Sequence, residues 1–468
     1  MLNLFLTAFV TAFFAAGVRR PFLFVLAYAY IDILAPQKVS WGFLQSIPIS
    51  LIAFIGAVTA WAVADDKTGM RFSPRQFLLL LLLIYCGLTT RSADFPEEAL
   101  DKWSWVWKAL VFALFLPLTV RTRLRIEALA LTMVLSLACI VIGGGIKTIA
   151  SGGGGYGTLR LLVNDNTGIY EGSTLSMVAV ATIPLIVWLA RFGTIFPPGK
   201  LVTLFALALG FACCLIPIGT QTRTGLICLF ILIGLSLRTV KRPLLYIGVI
   251  AALGSASVPF LPKSYLDRMN TIENHKSDQS ASTRMAVWLW TIDFAKTHPF
   301  GGGFDAFRQN RVSYDTIKAE KAGDNNTAIE TERIEEKARA YHSGYFEMLG
   351  EQGYPGLAMW LLLHVSGLLQ LELIQRRLRR RTDVIDRSDR ALALALQSGH
   401  CVYMFGALFV GIAFQPFIFM LIGLQIALAM QVSRRLAPPS QWHQRKKPVA
   451  ADSTGPESPR PLPGSFAR

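Results

Sequence analysis

Charge is scarce in this 468-residue chain: Asp, Glu, Lys and Arg make up 16% of it, where soluble domains carry about 25%. With 53% hydrophobic residues and a mean hydropathy of +0.44, a string of soluble domains of ~150 residues is excluded. Cysteine is scarce too. Cys86, Cys139, Cys213, Cys214, Cys228 and Cys401 all fall in apolar runs, so neither a disulfide scaffold nor a CxxC redox or zinc pattern is on offer. No HExxH pair is present. The run Gly152–Gly155 lacks the Gly-Lys-Ser/Thr that would make it a phosphate loop, and reads as a flexible external loop. Neither a solenoid-length nor an inverted repeat is evident. No positive n-region precedes the first apolar run, so a cleavable signal peptide is not expected.

What is present is a series of apolar runs long enough to cross a bilayer as helices. Bounded by charges, Pro and Gly, they predict up to 13 spans: 2–18, 21–36, 44–64, 76–90, 103–120, 126–149, 173–191, 200–218, 224–238, 243–259, 352–373, 391–411 and 414–432. The fold class expected is an all-α polytopic membrane protein. The run 391–430 is about 60 Å long as a helix, so it must turn, and Phe414-Gln415-Pro416 is the hinge. Lys and Arg are retained on the cytoplasmic side. One set of alternate loops, including Arg71, Arg75, Arg121 and the tail after Arg434, holds 27 basic residues; the opposite short loops hold 6. This places the C-terminus inside and, with 13 spans, the N-terminus outside. The net charge of +16 is therefore topological and implies no nucleic-acid partner.

Four regions follow: an N-terminal bundle of about ten helices over 1–259, a large extracytoplasmic loop over 260–341, C-terminal helices over 342–432, and a disordered basic cytoplasmic tail over 433–468. The loop holds 12 basic and 12 acidic residues. It is expected to be partly helical, with Ser282/Thr283 capping a helix from Arg284 to Thr297 and a second helix through 328–340. A loop this long is usually functional.

His342 closes that loop just before a span, near the outer membrane–water interface. A histidine there can be neutral near pH 7 and accept a proton from a hydroxyl, or it can simply cap or pack. Arg223 at the mouth of a span can bind phosphate or snorkel to headgroups. Arg284 can do the same or pair with Asp278 or Glu273. Asp165 and Asn166 can bind sugar hydroxyls or cap their loop. Glu347 and Glu351, one turn apart after His342, can orient the histidine or meet basic partners. No cluster points to a metal or cofactor.

The segment His342-Ser343, with Gly353 and Gly356 after it, resembles the signature of the bacterial O-antigen ligase and Wzy-type polymerase superfamily. Arg284, Trp288, Ala295, Pro299, Gly301 and Gly303 resemble that family's Arg-led helix and Pro-x-Gly-x-Gly turn. Thr220–Gly225 resembles its Ser/Thr-Arg-Gly turn, with an extra Thr between Arg and Gly. Asp165-Asn166 and Glu351 resemble further family elements. The resemblance covers roughly 165–432; the N-terminal part is similar to a subgroup of O-glycosylation ligases that accompany exosortase systems. It implies a GT-C-like, metal-independent, inverting glycosyltransferase in the bacterial inner membrane. The donor would be a glycan on undecaprenyl diphosphate and the acceptor a hydroxyl of a glycolipid or protein at the periplasmic face, with surrounding membrane lipids. His342 would be the base, and Arg223 and Arg284 would meet the diphosphate. A Wzy-type polymerase differs only in its acceptor. A lipid or solute transporter is the reading from another class; it needs ionisable residues inside the spans, for which Lys108 and Asp32 are the candidates.

Overall fold

The computed structural model describes residues 2–40, 43–65, 70–151, 168–238, 279–321 and 327–437, with isolated positions between them. The helices are α1 (Leu2–Arg19), α2 (Phe22–Leu34), α3 (Pro36–Val39), α4 (Ile49–Ala64), α5 (Pro74–Arg91), α6 (Pro96–Thr119), α7 (Arg123–Ser151), α8 (Gly172–Phe192), α9 (Lys200–Gly219) and α10 (Arg223–Leu237). They continue with α11 (Gln279–Thr297), α12 (Gly344–Leu378), α13 (Val384–Gly406) and α14 (Pro416–Leu436). Five of them, α7, α8, α9, α12 and α14, are long and apolar enough to cross a membrane; α1, α2, α4 and α10 are shorter apolar helices. The chain is a polytopic membrane protein of the all-α class, with its strands confined to the large loop among the described residues, and the span expected at 243–259 lies largely outside the described residues.

Local chemistry sets the helix ends. Ser73 and Gln76 form a reciprocal capping box at α5, with Pro74 at the first helical position. Pro416 opens α14 after Gln415, at the hinge expected there. Helix α14 is buried on every face from Phe417 to Ala429, as is α8 from Thr174 to Thr182, so each is enclosed by other helices of the bundle. Helix α9 instead exposes Leu201, Leu204, Phe205, Leu207 and Phe211, as a lipid-facing helix does.

The large loop departs from expectation in two places. Helix α11 begins at Gln279, so Arg284 lies inside the helix and not at its exposed N-terminal amides. Residues 328–340 are not helical: β1 (Arg311–Lys321) and β2 (Thr327–Lys337) form an antiparallel hairpin, with Arg311 opposite Lys337 and Lys321 opposite Thr327. The Glu- and Ala-rich composition of 328–340 favours a helix locally. Strand 311–321, with β-branched and aromatic residues at Val312, Tyr314, Thr316 and Ile317, supplies the partner that a local reading does not see.

One junction ties the loop to the bundle. Helix α12 breaks at Gly353, whose φ is 62° and ψ −167°. Onto the break sits the turn Pro299–Gly303, with Gly301 at φ 82° and Gly303 at φ 80°. Gly302 and Gly303 donate their N–H groups to the carbonyls of Gly350 and Glu351 at 3.0 and 2.9 Å, and Tyr354 donates to Pro299 at 2.9 Å. A Cβ on Gly353 would strike the backbone at Pro299 and Phe300; one on Gly301 would strike Glu351. The end of α5 joins in: Tyr85 donates its hydroxyl to the Gln352 carbonyl at 2.9 Å, and Asp94 N–H donates to Gly302 at 2.9 Å. Gly353→Ala should therefore lower stability by about 2–4 kcal/mol, combining positive-φ strain with a backbone clash. Thermal unfolding of the purified variant checks this; an unchanged Tm would mean that the junction yields.

Candidate active site

His342 sits in the short link between β2 and α12, and its backbone is held from several sides. Ala338 and His342 both take left-handed φ, at 54° and 48°, a conformation costly for residues with a Cβ and tolerated only where the surroundings enforce it. The enforcing contacts are visible. The Asn310 side chain accepts from Arg339 N–H at 3.0 Å and donates to the Arg339 carbonyl at 2.6 Å. Trp288 Nε1 donates to the Tyr341 carbonyl at 2.9 Å while its ring stacks on Phe346, centroids 4.9 Å apart. Gly344 N–H donates to the Ala407 carbonyl at 2.7 Å. Tyr341 and Ser343 are thereby tucked in and the His342 side chain is left exposed between them.

The charges around His342 come from three segments. Although His342 is exposed as a residue, the protein packed around its ring takes away part of the imidazole's hydration and lowers its pKa; Arg284 on α11 lowers it further, Glu171 opposes that, and Arg339 adds to it. The imidazole is therefore held toward its neutral form, which is able to accept a proton. Tyr341 is pushed the other way: burial and the carboxylates of Glu351, Glu347, Asp305 and Asp94 raise it well above the usual phenol value, so it stays protonated.

Arg223 is the first residue of α10 and is half-buried. It is led in by Gln221 at φ 53° and by three hydroxyls: Ser176 lies 2.7 Å from Thr220 and accepts from Thr222 at 3.0 Å. This cluster pins the start of α10 against α8. A Cβ on Gly172 would lie 3.6 Å from the Thr222 methyl, and the preceding Glu171 caps α8 by accepting from Ser173 N–H at 3.0 Å and Thr174 N–H at 2.6 Å. Glu171 thus links the two ends: its helix start abuts that of Arg223, and its charge acts on His342. Asp165 and Asn166 lie outside the described residues, as do Asp278 and Glu273, the partners considered for Arg284.

Among the described residues no hydrogen bond joins Glu347 or Glu351 to the imidazole. They clamp Lys102 of α6, whose Nζ donates to Glu347 Oε1 at 2.7 Å and to both Glu351 oxygens at 2.8 and 2.9 Å. The remaining acceptor sites are used: Glu347 Oε2 takes Ala413 N–H at 3.0 Å and Glu351 Oε1 takes Asp305 N–H at 3.1 Å. Glu351 is fully buried and Glu347 nearly so. One lysine therefore fastens α6, the α13–α14 connection and the turn after Gly303 to the helix that follows His342. Lys102 was not singled out in the sequence; a lone lysine at the start of a tryptophan-rich span was its only signal. Glu171 carried none. Lys102→Met leaves two buried carboxylates without their cation and should destabilise the protein by about 3–5 kcal/mol. Denaturation of the purified variant measures it; a loss under 1 kcal/mol would show that the pair repacks.

Residues 207–361 match the family model described as O-Antigen ligase, and residues 1–194 match one described as a family of unknown function (DUF5935). No curated protein matches the chain. The 207–361 match spans the start of α10, α11, the hairpin and the first half of α12, so it includes Arg223, Arg284 and His342. The stretch that carries these residues, about a third of the chain, is therefore similar to O-antigen ligases, which supports a place for this multi-pass membrane protein in the O-antigen ligase and Wzy-type superfamily.

Proposed function

We propose that this protein is a glycan ligase that takes an oligo- or polysaccharide from undecaprenyl diphosphate and joins it to an acceptor hydroxyl of a glycolipid or protein, at the periplasmic face of the bacterial inner membrane. The observation that carries this reading is His342: a neutral imidazole, projected from a strained backbone, with an arginine close enough to depress it. The acceptor O–H gives its proton to His342 as its oxygen attacks the anomeric carbon. The bond from that carbon to the diphosphate oxygen breaks in the same step, and a single displacement inverts the carbon. The leaving diphosphate gains charge, which Arg223 and Arg284 meet with fixed, always-protonated donors; in this reading cationic side chains fill the role a metal fills elsewhere. Glu171 offsets the imidazolium that forms. The brace through Lys102 keeps the base at a fixed height while a large substrate enters and leaves.

His342→Ala, with folding and membrane insertion verified, should abolish transfer and cause the lipid-linked glycan to accumulate. Ordinary glycan attachment by that variant would sink the assignment. A change in chain length alone, read from the glycans of a deletion strain, would favour the polymerase. The pH profile gives an independent check with a definite sign. Transfer falls on the acid side as His342 takes a proton. Arg284→Gln removes a charge that disfavours the imidazolium, so the acid limb of its residual activity moves to higher pH. Glu171→Gln removes one that favours it, so the limb moves to lower pH. Shifts in the same direction for both would exclude His342 as the titrating base.

A further inference from the structure

Arg75 belongs to the sequence's set of loop charges, but its guanidinium is buried within the bundle at 5% exposure. It enters beside Gly367 of α12, where a Cβ would collide with it. No carboxylate is among its hydrogen-bond partners in the described residues. It donates to Gln425 Oε1 at 2.9 Å, to Gln370 Oε1 at 3.3 Å and to the Leu363 carbonyl at 3.5 Å. Beyond Gln425 the chain of contacts continues: Gln425 Nε2 lies 2.9 Å from His400 Nδ1, and His400 Nε2 lies 2.7 Å from His364 Nδ1. Gln425, His400 and His364 are all fully buried. Four helices, α5, α14, α13 and α12, contribute one residue each.

Donor chemistry fixes every proton in this chain. Arginine only donates, so the Gln425 oxygen must face it and the amide N–H₂ must face His400. His400 Nδ1 therefore accepts and carries no proton. Its proton is on Nε2 and is donated to His364 Nδ1, which leaves His364 as the Nε2–H tautomer. Both histidines are neutral, and every bond points the same way, from the arginine toward α12. The chain ends among aromatic rings. His364 lies edge to face with Trp360, centroids 4.3 Å apart, and stacks on Tyr403 at 5.6 Å. Trp360 Nε1 donates to the Ala413 carbonyl at 3.0 Å and the Tyr403 hydroxyl to the Ile412 carbonyl at 2.6 Å. Ala413 N–H in turn donates to Glu347 at 3.0 Å, one turn beyond His342.

We propose that Arg75, Gln425, His400 and His364 are a positioning network for the transfer reaction: a hydrogen-bond chain of fixed polarity that sets the 412–413 segment and, through Glu347, the height of His342. Intramembrane ionisable residues are costly and are kept where they serve function. Here the cost is offset by a chain that ends on the two rings holding the connection on which the helix after His342 rests. This inference rests on the glycan-transfer reading above.

The test uses the full chain in nanodiscs with an undecaprenyl-diphosphate-linked glycan as donor. Gln425→Leu should lower kcat by about tenfold to a hundredfold, the size expected for a base displaced by a fraction of an ångström to one ångström, with KM for the donor little changed; the thermal transition falls too, because buried Arg75 and His400 lose a partner, so kcat is read at a temperature where the variant is fully folded. Gln425→Glu should recover most of kcat, because a carboxylate accepts from both Arg75 and His400. In that variant His400 must carry a proton on Nδ1, either as the Nδ1–H tautomer with His364 switching likewise or as the imidazolium, and ¹⁵N-histidine NMR tells the two apart; wild type should show both histidines as Nε2–H. Unchanged kcat in Gln425→Leu, beside an inactive His342→Ala, overturns the network and leaves the transfer reading standing. Normal transfer by His342→Ala overturns both. Should Gln425→Leu fail to fold, the wild-type spectrum decides, since a doubly protonated or Nδ1–H resonance from either histidine overturns the proposal.

Discussion

The architecture hangs on main chain meeting main chain. Between Pro299–Gly303 and Gly350–Tyr354, three N–H groups find carbonyls across a gap too narrow for any Cβ at Gly301 or Gly353. This contact interrupts α12 and directs its first part, 344–352, away from the membrane-crossing part, 354–378. It brings α11, and with it Arg284, to the segment that carries His342. It also engages the end of α5 through Tyr85 and Asp94, so the loop is anchored to helices far away in sequence. Without the break, His342 would sit at the top of a continuous rod.

Around that junction the polar groups are arranged in two tiers. Near the outer end, Lys102 is held between Glu347 and Glu351, and the leftover carboxylate sites are filled by backbone N–H groups. Deeper, Arg75 has amide and carbonyl oxygens instead of carboxylates. The distinction matters in a membrane protein, where an unmatched buried charge or amide has no water to fall back on. The tiers share the connection at 412–413, which receives Trp360 and Tyr403 from below and gives its N–H to Glu347 above.

Much of this could be read from the sequence, and what could not has a common physical cause. The spans emerged because hydrophobic runs are local. The hinge at Phe414-Gln415-Pro416 emerged because proline cannot continue a helix. The Pro299–Gly303 turn and the His342–Gly356 segment were each recognisable, but as separate motifs; only the folded chain shows that one is the seat of the other. The hairpin was missed because its stability comes from pairing 311–321 with 327–337, and a helix-like composition masked it. Arg75 reads as a loop charge in the sequence because a residue at a helix start can turn its side chain outward or inward, and that choice is made by Gly367 and by Gln425, the latter 350 positions away. His364 and His400 gave no sign of being partners, since 36 residues separate them on different helices.

A joint made of main chain is indifferent to which side chains surround it. The residues flanking Gly301 and Gly353 can drift through many substitutions and leave the joint unaltered, while the glycines themselves admit no replacement. Such a seat can therefore keep its shape while the surfaces around it are rebuilt.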